Sequence, residues 1–227
     1  MFKIRLYKQV ILSGFLFLVV ANALEAQQAP RPISWKDVPG WKSLAPIGAV
    51  LSPDGKWAAY AIVPVDGDGD LFLQKVGDTT LKKYPIGGST FPSMQFSEDG
   101  KWFAFKESAK SKDMKAAAKP GGRQVFDKLM VVDLVSDKKT EYEKVASYDF
   151  NGEAATHLGL VMAKDRASGP PGGAAGPKGG DFILLELATG KSQNMGNVSE
   201  FKFNKAGNWL ALTIDAANQA GNGIQLY

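Results

Sequence analysis

Alternating apolar and polar residues recur in short runs along the chain, and each run follows the same kind of turn. Residues 51–60 (LSPDGKWAAY), 96–105 (FSEDGKWFAF) and 203–212 (FNKAGNWLAL) each contain an apolar residue, a polar turn with glycine, and a run that begins with tryptophan. Asp-Gly and Ala-Gly-Asn are typical of tight turns, because glycine adopts positive φ without strain. The tryptophan and the residues one and three places after it predict a half-buried strand.

The spacing of these copies predicts a structural repeat. Trp57 and Trp102 are 45 residues apart, whereas Trp102 and Trp209 are 107 apart, which leaves room for one more copy. Residues 150–160 (FNGEAATHLGL) occupy that place and keep the apolar residue, the glycine and the alternating strand, with His157 at the tryptophan position after a one-residue insertion. A period of about 40–50 residues with four short strands in each repeat is typical of β-propeller blades.

The chain is therefore predicted to be all-β: a partial β-propeller of about four blades, each a four-stranded antiparallel sheet, with the last blade incomplete. The propeller region is 47–227, and its blades span about 46–86, 91–145, 147–195 and 198–227. In the last blade, residues 223–227 are predicted to form the third strand.

Two long insertions interrupt this pattern, both between a second and a third strand. Residues 108–123 are rich in lysine and alanine, which fits either a short helix or a mobile loop with solvated charges. Residues 168–180 are rich in glycine and proline without a strict period, as in a flexible loop. Loops at this position share one face of a propeller with the connections between blades. That face is expected to receive a partner or a companion domain.

The first 46 residues differ from the rest. Residues 1–23 resemble a secretory signal peptide, with a basic start, an apolar run from Val10 to Val20, and a small-x-small site that ends at Ala23; cleavage near Ala26 is the alternative. The run is shorter than the ~20 residues that span a bilayer, although a retained anchor is the other interpretation. We expect a periplasmic or secreted protein with no membrane contact after cleavage. A Pro-rich segment, 24–46, follows, and its Trp35 and Trp41 are expected to pack against the first sheet.

Composition narrows the function classes. The 227 residues suffice for one large all-β domain. The formal charge is +4, but Lys3, Arg5 and Lys8 supply three of these charges, and no basic stripe with interleaved aromatic residues is present, so no nucleic-acid partner is expected. The absence of cysteine excludes disulfides, thiol catalysis and cysteine zinc sites.

Three short segments resemble functional motifs, and each departs from its motif. Residues 66–70 (DGDGD) start like a calcium loop but lack its later glycine and glutamate, so a plain hairpin loop is favoured. Residues 87–91 (GGSTF) fail as a Gly-x-Ser-x-Gly nucleophile elbow, and residues 190–192 (GKS) lack the first glycine of a phosphate loop. The single histidine, His157, occupies a strand position where packing is expected. We therefore predict no catalytic, cofactor-binding or metal-binding residues, and no cofactor.

As an ordered set, the repeats resemble the N-terminal β-propeller of the prolyl oligopeptidase family of serine peptidases, in particular secreted bacterial members similar to dipeptidyl aminopeptidases and acylaminoacyl peptidases. The resemblance covers nearly the whole chain after the predicted signal. It rests on the three tryptophan turns and on segments 33–37 (ISWKD), 182–191, 196–201 and 208–215. It implies a propeller of about seven or eight blades followed by an α/β-hydrolase domain with a Ser-Asp-His triad, in which the propeller restricts access to short or unfolded peptides. No position of this chain matches the triad.

Two hypotheses follow. The first is an N-terminal propeller fragment of such a secreted peptidase, which gates or positions peptide substrate for a hydrolase domain absent from this chain and is inactive alone. Its partners are that hydrolase domain and, through the parent protein, the peptide. The alternative is a stand-alone periplasmic propeller-type binding or interaction module. Tol-type and WD-like propellers share the short tryptophan turn, so that turn alone does not identify the peptidase family.

Overall fold

The computed structural model describes residues 31–165, 178–219 and 221–227. It divides the chain into two compact units, Met1–Val38 and Pro39–Tyr227. A 3-10 helix spans Trp35–Gly40. In the first unit, the Asp37 carboxylate accepts the backbone N–H of Ser34 at 2.8 Å and pairs with Arg31. The predicted signal peptide, its cleavage sites and loop residues 166–177 lie outside the described residues.

The first blade is a four-stranded antiparallel sheet in the order β1-β2-β3-β4. Its strands are β1 (Lys42–Leu51), β2 (Trp57–Pro64), β3 (Gly69–Lys75) and β4 (Leu81–Gly87). Residues 42–46, which the sequence assigned to the Pro-rich segment, belong to β1, and a register shift between Leu44 and Ala49 lets this longer strand follow β2. Trp35 and Trp41, which were expected to pack against the first sheet, are 78% and 51% exposed.

The second blade is also a four-stranded antiparallel sheet, in the order β5-β6-β7-β8. Its strands are β5 (Met94–Phe96), β6 (Trp102–Glu107), β7 (Lys128–Asp133) and β8 (Lys139–Tyr142). The insertion between β6 and β7 contains the helix α1 (Ser111–Ala117). Of the two structures considered for this insertion, the short helix is therefore present.

The last two predicted blades form one six-stranded antiparallel sheet in the order β14-β13-β12-β11-β10-β9. Its elements are β9 (Val145–Phe150), a 3-10 helix (Gly152–Ala154), β10 (His157–Met162), β11 (Gly180–Glu186), β12 (Ser192–Phe203), β13 (Leu210–Ile214), a 3-10 helix (Ala217–Gln219) and β14 (Gly223–Leu226). β12 runs through the predicted boundary between these blades at 195–198, and its two halves pair with different strands: Met195 lies opposite Phe182 of β11, and Phe203 lies opposite Leu210 of β13. Asn197 has a φ of 60°, and register shifts lie beside it, so β12 bends without losing its partners.

Each blade packs face to face against the next one. One apolar cluster joins Ala59, Ala61, Leu71 and Leu73 of the first blade to Phe103 and Phe105 of the second. A second cluster joins β6 and β7 to β9, β10 and β11, and a third joins the two halves of the six-stranded sheet. The position two residues after the tryptophan is small in every copy, and these residues are Ala59, Ala104, Gly159 and Ala211.

These contacts confirm the all-β fold of successive propeller blades with an incomplete last one. The described strands form sheets side by side and do not close a ring. The last blade has β14 as its third strand, as the sequence predicts. Among the described residues, no helix is both long and apolar enough to cross a membrane.

Candidate functional site

The repeated turn has the same hydrogen bonds in the first two blades. The Ser52 hydroxyl accepts the N–H of Trp57 at 2.9 Å and donates to the Asp54 carboxylate at 2.6 Å. The second copy repeats these bonds at 3.0 and 2.6 Å, through Ser97. The glycines of both turns have φ of 68° and 66°, which the sequence anticipated from Asp-Gly.

In the last two copies, an asparagine takes the place of the serine. The side-chain carbonyl of Asn204 accepts the N–H of Trp209 at 3.0 Å, and that of Asn151 accepts the N–H of His157 at 2.9 Å. The backbone N–H of each asparagine also donates to the backbone carbonyl of the same residue, Trp209 for Asn204 and His157 for Asn151. His157 therefore occupies the tryptophan position, as predicted.

The third and fourth turns contact each other directly. The Asn151 side-chain amide donates to the Gly207 carbonyl at 2.9 Å, and the Glu153 N–H donates to the Lys205 carbonyl at the same distance. A Cβ added to Gly207 would lie 1.7 Å from the Asn151 carbonyl oxygen, so only glycine fits there. The glycine of this turn thus serves blade packing as well as the turn itself.

The motif-like segments have structural roles. The ring Nδ1 of His157 lies 2.9 Å from the Thr156 hydroxyl. In the segment 66–70, Asp66 binds the Lys115 ammonium at 2.6 Å and Asp68 accepts the N–H of Ser111, also at 2.6 Å. Both carboxylates thus bind residues of α1. Within the described ranges, no cluster of three or more metal-ligating side chains occurs.

The two remaining segments are connections. Gly87 lies where a Cβ would be 2.0 Å from the Ser108 carbonyl oxygen, so the start of the segment 87–91 packs against the insertion. Residues 190–192 belong to the hairpin between β11 and β12, where Gly190 has a φ of 72°. The sequence prediction of a hairpin turn is confirmed there.

Loops between second and third strands contact the neighbouring blade on the elaborated face. Between the first and second blades, the Gly88 N–H donates to the Ala109 carbonyl at 2.9 Å. The Gln124 side chain donates to the Lys164 carbonyl at 2.9 Å, which joins the second blade to the third. The Lys178 N–H donates to the Asp215 carboxylate at 2.8 Å, which joins the third to the fourth.

A cavity of about 520 Å³ lies on this face, between α1 and residues 123–128. We call it the insertion groove. Its apolar lining comes from Ala116, Ala117, Val125 and Phe126, and its charged lining is Lys110, Asp113, Arg123, Lys128, Glu143 and Lys144. The Lys144 ammonium lies 4.7 Å from the centre of the Phe126 ring, so a cation covers the aromatic face.

Two of the lysines that line the groove already form ion pairs within the chain. Lys128 binds Glu141 at 2.6 Å and Glu143 at 2.9 Å, and these hydrogen bonds raise the pKa of its ammonium. Lys144 binds Asp165 at 3.2 Å. A hydrogen bond to a charged group stabilises the charged form. Beside the groove, the hydrogen bond from Lys115 therefore lowers the pKa of the Asp66 carboxyl.

The first strand of the third blade, β9, contacts the first two strands of the second blade through polar side chains. Tyr148 in β9 donates to the Ala104 carbonyl at 3.2 Å, and burial raises the pKa of its phenol. Gln95 in β5 donates to the Asp149 carboxylate at 2.9 Å. These side chains fix one blade against the next.

Sequence reasoning missed the groove and the inner-strand contacts. The insertion 108–123 was interpreted as a solvated charged face, whereas Val125 and Phe126, just after it, form an apolar part of the groove. The sequence signal that could have indicated the groove is this pair of apolar residues, one of them aromatic, between the polar insertion and β7. Its partner residues, Glu143 and Lys144, lie in the next blade connection and gave no local signal.

No family model matches the chain, and no curated protein sequence matches it. Among solved structures, the chain is similar to the β-propeller domain of the Trilobed protease from Pyrococcus furiosus, which has an open velcro topology; the TM-score is 0.50 and the identity 12%, over 77% of this chain and 49% of that chain. It is also similar to the acylaminoacyl peptidase of Pyrococcus horikoshii, with a TM-score of 0.47, 10% identity, and coverage of 82% and 31%. A prolyl endopeptidase structure gives a TM-score of 0.46, 13% identity, and coverage of 84% and 30%.

The first of these likenesses confirms the β-propeller fold. The chain spans about half the length of that propeller domain and less than a third of the two peptidases. At these identities the likeness concerns the fold alone.

Proposed function

We propose that this chain is the N-terminal propeller portion of a secreted serine peptidase of the prolyl oligopeptidase type. In this role it admits or positions peptide substrate for an α/β-hydrolase domain that the 227 residues do not include. The observation that carries the proposal is the likeness of its blades to the β-propeller domain of a protease, at a TM-score of 0.50. The ordered sequence resemblance, from 33–37 to 208–215, supports the same family.

The chemistry of the chain suits a binding role. Peptide-bond hydrolysis by a serine peptidase needs a histidine beside the nucleophile and a carboxylate that orients the histidine. The single histidine has its ring Nδ1 next to Thr156, and its backbone N–H is held by Asn151. Bond cleavage is therefore assigned to groups outside these residues, while the propeller supplies selection of the substrate.

The location proposed for the protein is the periplasm or the extracellular space. The support is the signal-like pattern of residues 1–23 and the absence of cysteine. The elaborated face, with its blade-to-blade loop contacts, is the proposed contact surface for the hydrolase domain.

A fluorophosphonate probe, which labels activated serines, tests the proposal. In an extract of the source cells, the labelled proteins should include a polypeptide whose tryptic peptides cover residues 31–165, and the purified 227-residue chain should stay unlabelled. If the native polypeptide that contains these peptides is not labelled, the peptidase assignment is wrong and the stand-alone binding module is favoured. Labelling of a serine within the purified chain would also contradict the proposal.

A further inference from the structure

We propose that the insertion groove binds the C-terminal end of an extended peptide. Lys110 and Arg123 receive the terminal carboxylate, and Val125 and Phe126 receive an apolar last side chain. The inference rests on the proposed function, because it names the part of a peptide that the propeller recognises.

Charge is the first argument. The groove is lined by four cations and two acids. Lys128 and Lys144 already bind carboxylates of the chain, at 2.6 and 3.2 Å. In the part of the chain that the structure describes, neither Lys110 nor Arg123 has an ion-pair partner. A ligand anion would thus meet two uncommitted cations against one uncommitted acid, Asp113.

The chemistry of arginine favours a carboxylate. Its planar guanidinium donates two parallel hydrogen bonds to the two oxygens of one carboxylate, and such charge-assisted pairs are about twice as strong as neutral hydrogen bonds. Arg123 is exposed, so the side chain can adjust to an incoming ligand. Lys110 adds a second positive charge from the opposite end of the insertion.

The apolar lining distinguishes a peptide from a simple anion. Val125 is 37% exposed, and the Phe126 ring lies beside it in the sequence, with the Lys144 ammonium over one of its two faces. Together with Ala116 and Ala117, these side chains offer apolar contacts that inorganic phosphate cannot use. A cavity of about 520 Å³ is within the range typical of small-ligand clefts.

The elaborated face contains other cavities that are weaker candidates. One cavity of about 790 Å³ is lined by residues on both sides of 166–177, a segment that lies outside the described residues. Another of about 630 Å³ has its charges paired, since Asp66 and Lys115 bind each other. In the insertion groove, by contrast, two cations that have no ion-pair partner among the described residues lie beside apolar side chains.

Binding to matched peptides tests the assignment. A fluorescein-labelled hexapeptide that ends in leucine is prepared with a free C-terminal carboxylate and, as its pair, with a C-terminal amide. Fluorescence anisotropy with the purified chain should show at least about tenfold tighter binding of the carboxylate peptide, as expected for a charge-assisted pair. The difference should shrink as the salt concentration rises, because these cations are exposed.

Variants locate the site. Arg123→Ala together with Lys110→Ala should remove the preference for the carboxylate, while Lys112→Ala, a charge change on the same insertion but outside the groove, should preserve it. Val125→Ser should reduce binding of the leucine peptide more than that of a peptide ending in glycine. Thermal unfolding curves should be unchanged for all these variants, because the substituted residues are exposed.

The outcomes separate this inference from the proposed function. Equal binding of carboxylate and amide peptides, no binding of either, or no effect of the double variant would each overturn the assignment of the groove. Displacement of the peptide by an equal concentration of inorganic phosphate would indicate a general anion site and would also overturn it. The peptidase assignment is tested separately by the labelling of the native polypeptide.

Discussion

Asn151 is the residue whose removal tests the blade packing most sharply. Its side chain accepts the N–H groups of Thr156 and His157 at 2.8 and 2.9 Å, and donates to the Gly207 carbonyl at 2.9 Å and to the Thr156 hydroxyl at 3.0 Å. Only 2% of the residue is exposed. Asn151→Ala therefore leaves two backbone N–H groups and one carbonyl without this partner.

The size of the loss follows from burial. A buried polar group left without a partner costs about 1–3 kcal/mol, and some of the groups near Gly207 regain water, so we expect a loss of about 3 kcal/mol in the free energy of unfolding. For a domain of this size, about 2–4 °C is lost for each kcal/mol. The midpoint of thermal unfolding should therefore fall by about 6–12 °C.

The chain contains its own control. Asn204 has the same role in the fourth copy, where its side chain accepts the N–H groups of Asn208 and Trp209 at 3.0 Å, but it is exposed. Asn204→Ala should cost about 1 kcal/mol or less, because water replaces the lost bonds. Asn151→Ser, which restores the residue type of the first two copies, should recover part of the loss.

Urea and thermal unfolding followed by tryptophan fluorescence give the free energies. We expect the free energy of unfolding to decrease in the order wild type, Asn204→Ala, Asn151→Ser and Asn151→Ala. Equal losses for the two alanine variants, or a loss below about 1 kcal/mol for Asn151→Ala, would refute the view that this side chain joins the third blade to the fourth.

Three further outcomes are expected. Gly159→Ala should cost about 1–3 kcal/mol in urea unfolding, since its Cβ would lie 2.6 Å from a neighbouring aromatic ring; a neutral effect would contradict that contact. Phe105→Ala, at a site between the first two blades that is 1% exposed, should cost about 3–5 kcal/mol, whereas Phe91→Ala at an exposed site should be nearly neutral. The bond from Ser52 lowers the pKa of Asp54 to about 2, so its stabilising contribution is complete above about pH 4 and is lost as the pH falls towards 2; an NMR titration that gives a pKa near 4 would contradict this.

The parts of the fold that local chemistry determines could be predicted from the sequence. The glycine turns and the alternating strands after them are determined by residues that are neighbours in the sequence, and the spacing of the turns predicts the order of the blades. Even the degenerate copy with His157 was recognisable, because the asparagine, glycine and strand pattern survive together.

The parts that depend on distant residues could not be predicted. The bend of β12 at Asn197 keeps two blades in one sheet, and nothing in the local pattern distinguishes such a bend from a strand end. The insertion groove needs Val125 and Phe126 to meet Glu143 and Lys144, which belong to a different connection. Such contacts arise from tertiary packing, so the charged composition of the insertion alone suggested a solvated loop.

Nuclear Overhauser contacts in the purified chain test the central claim, the face-to-face packing of successive blades, most directly. The account predicts contacts from the Phe103 and Phe105 rings to the Ala59 and Ala61 methyl groups, and from the Phe201 ring to the Gly159 α-protons. Cross-strand backbone contacts that place the strands after Trp57 and Trp102 next to each other in one continuous sheet would contradict it.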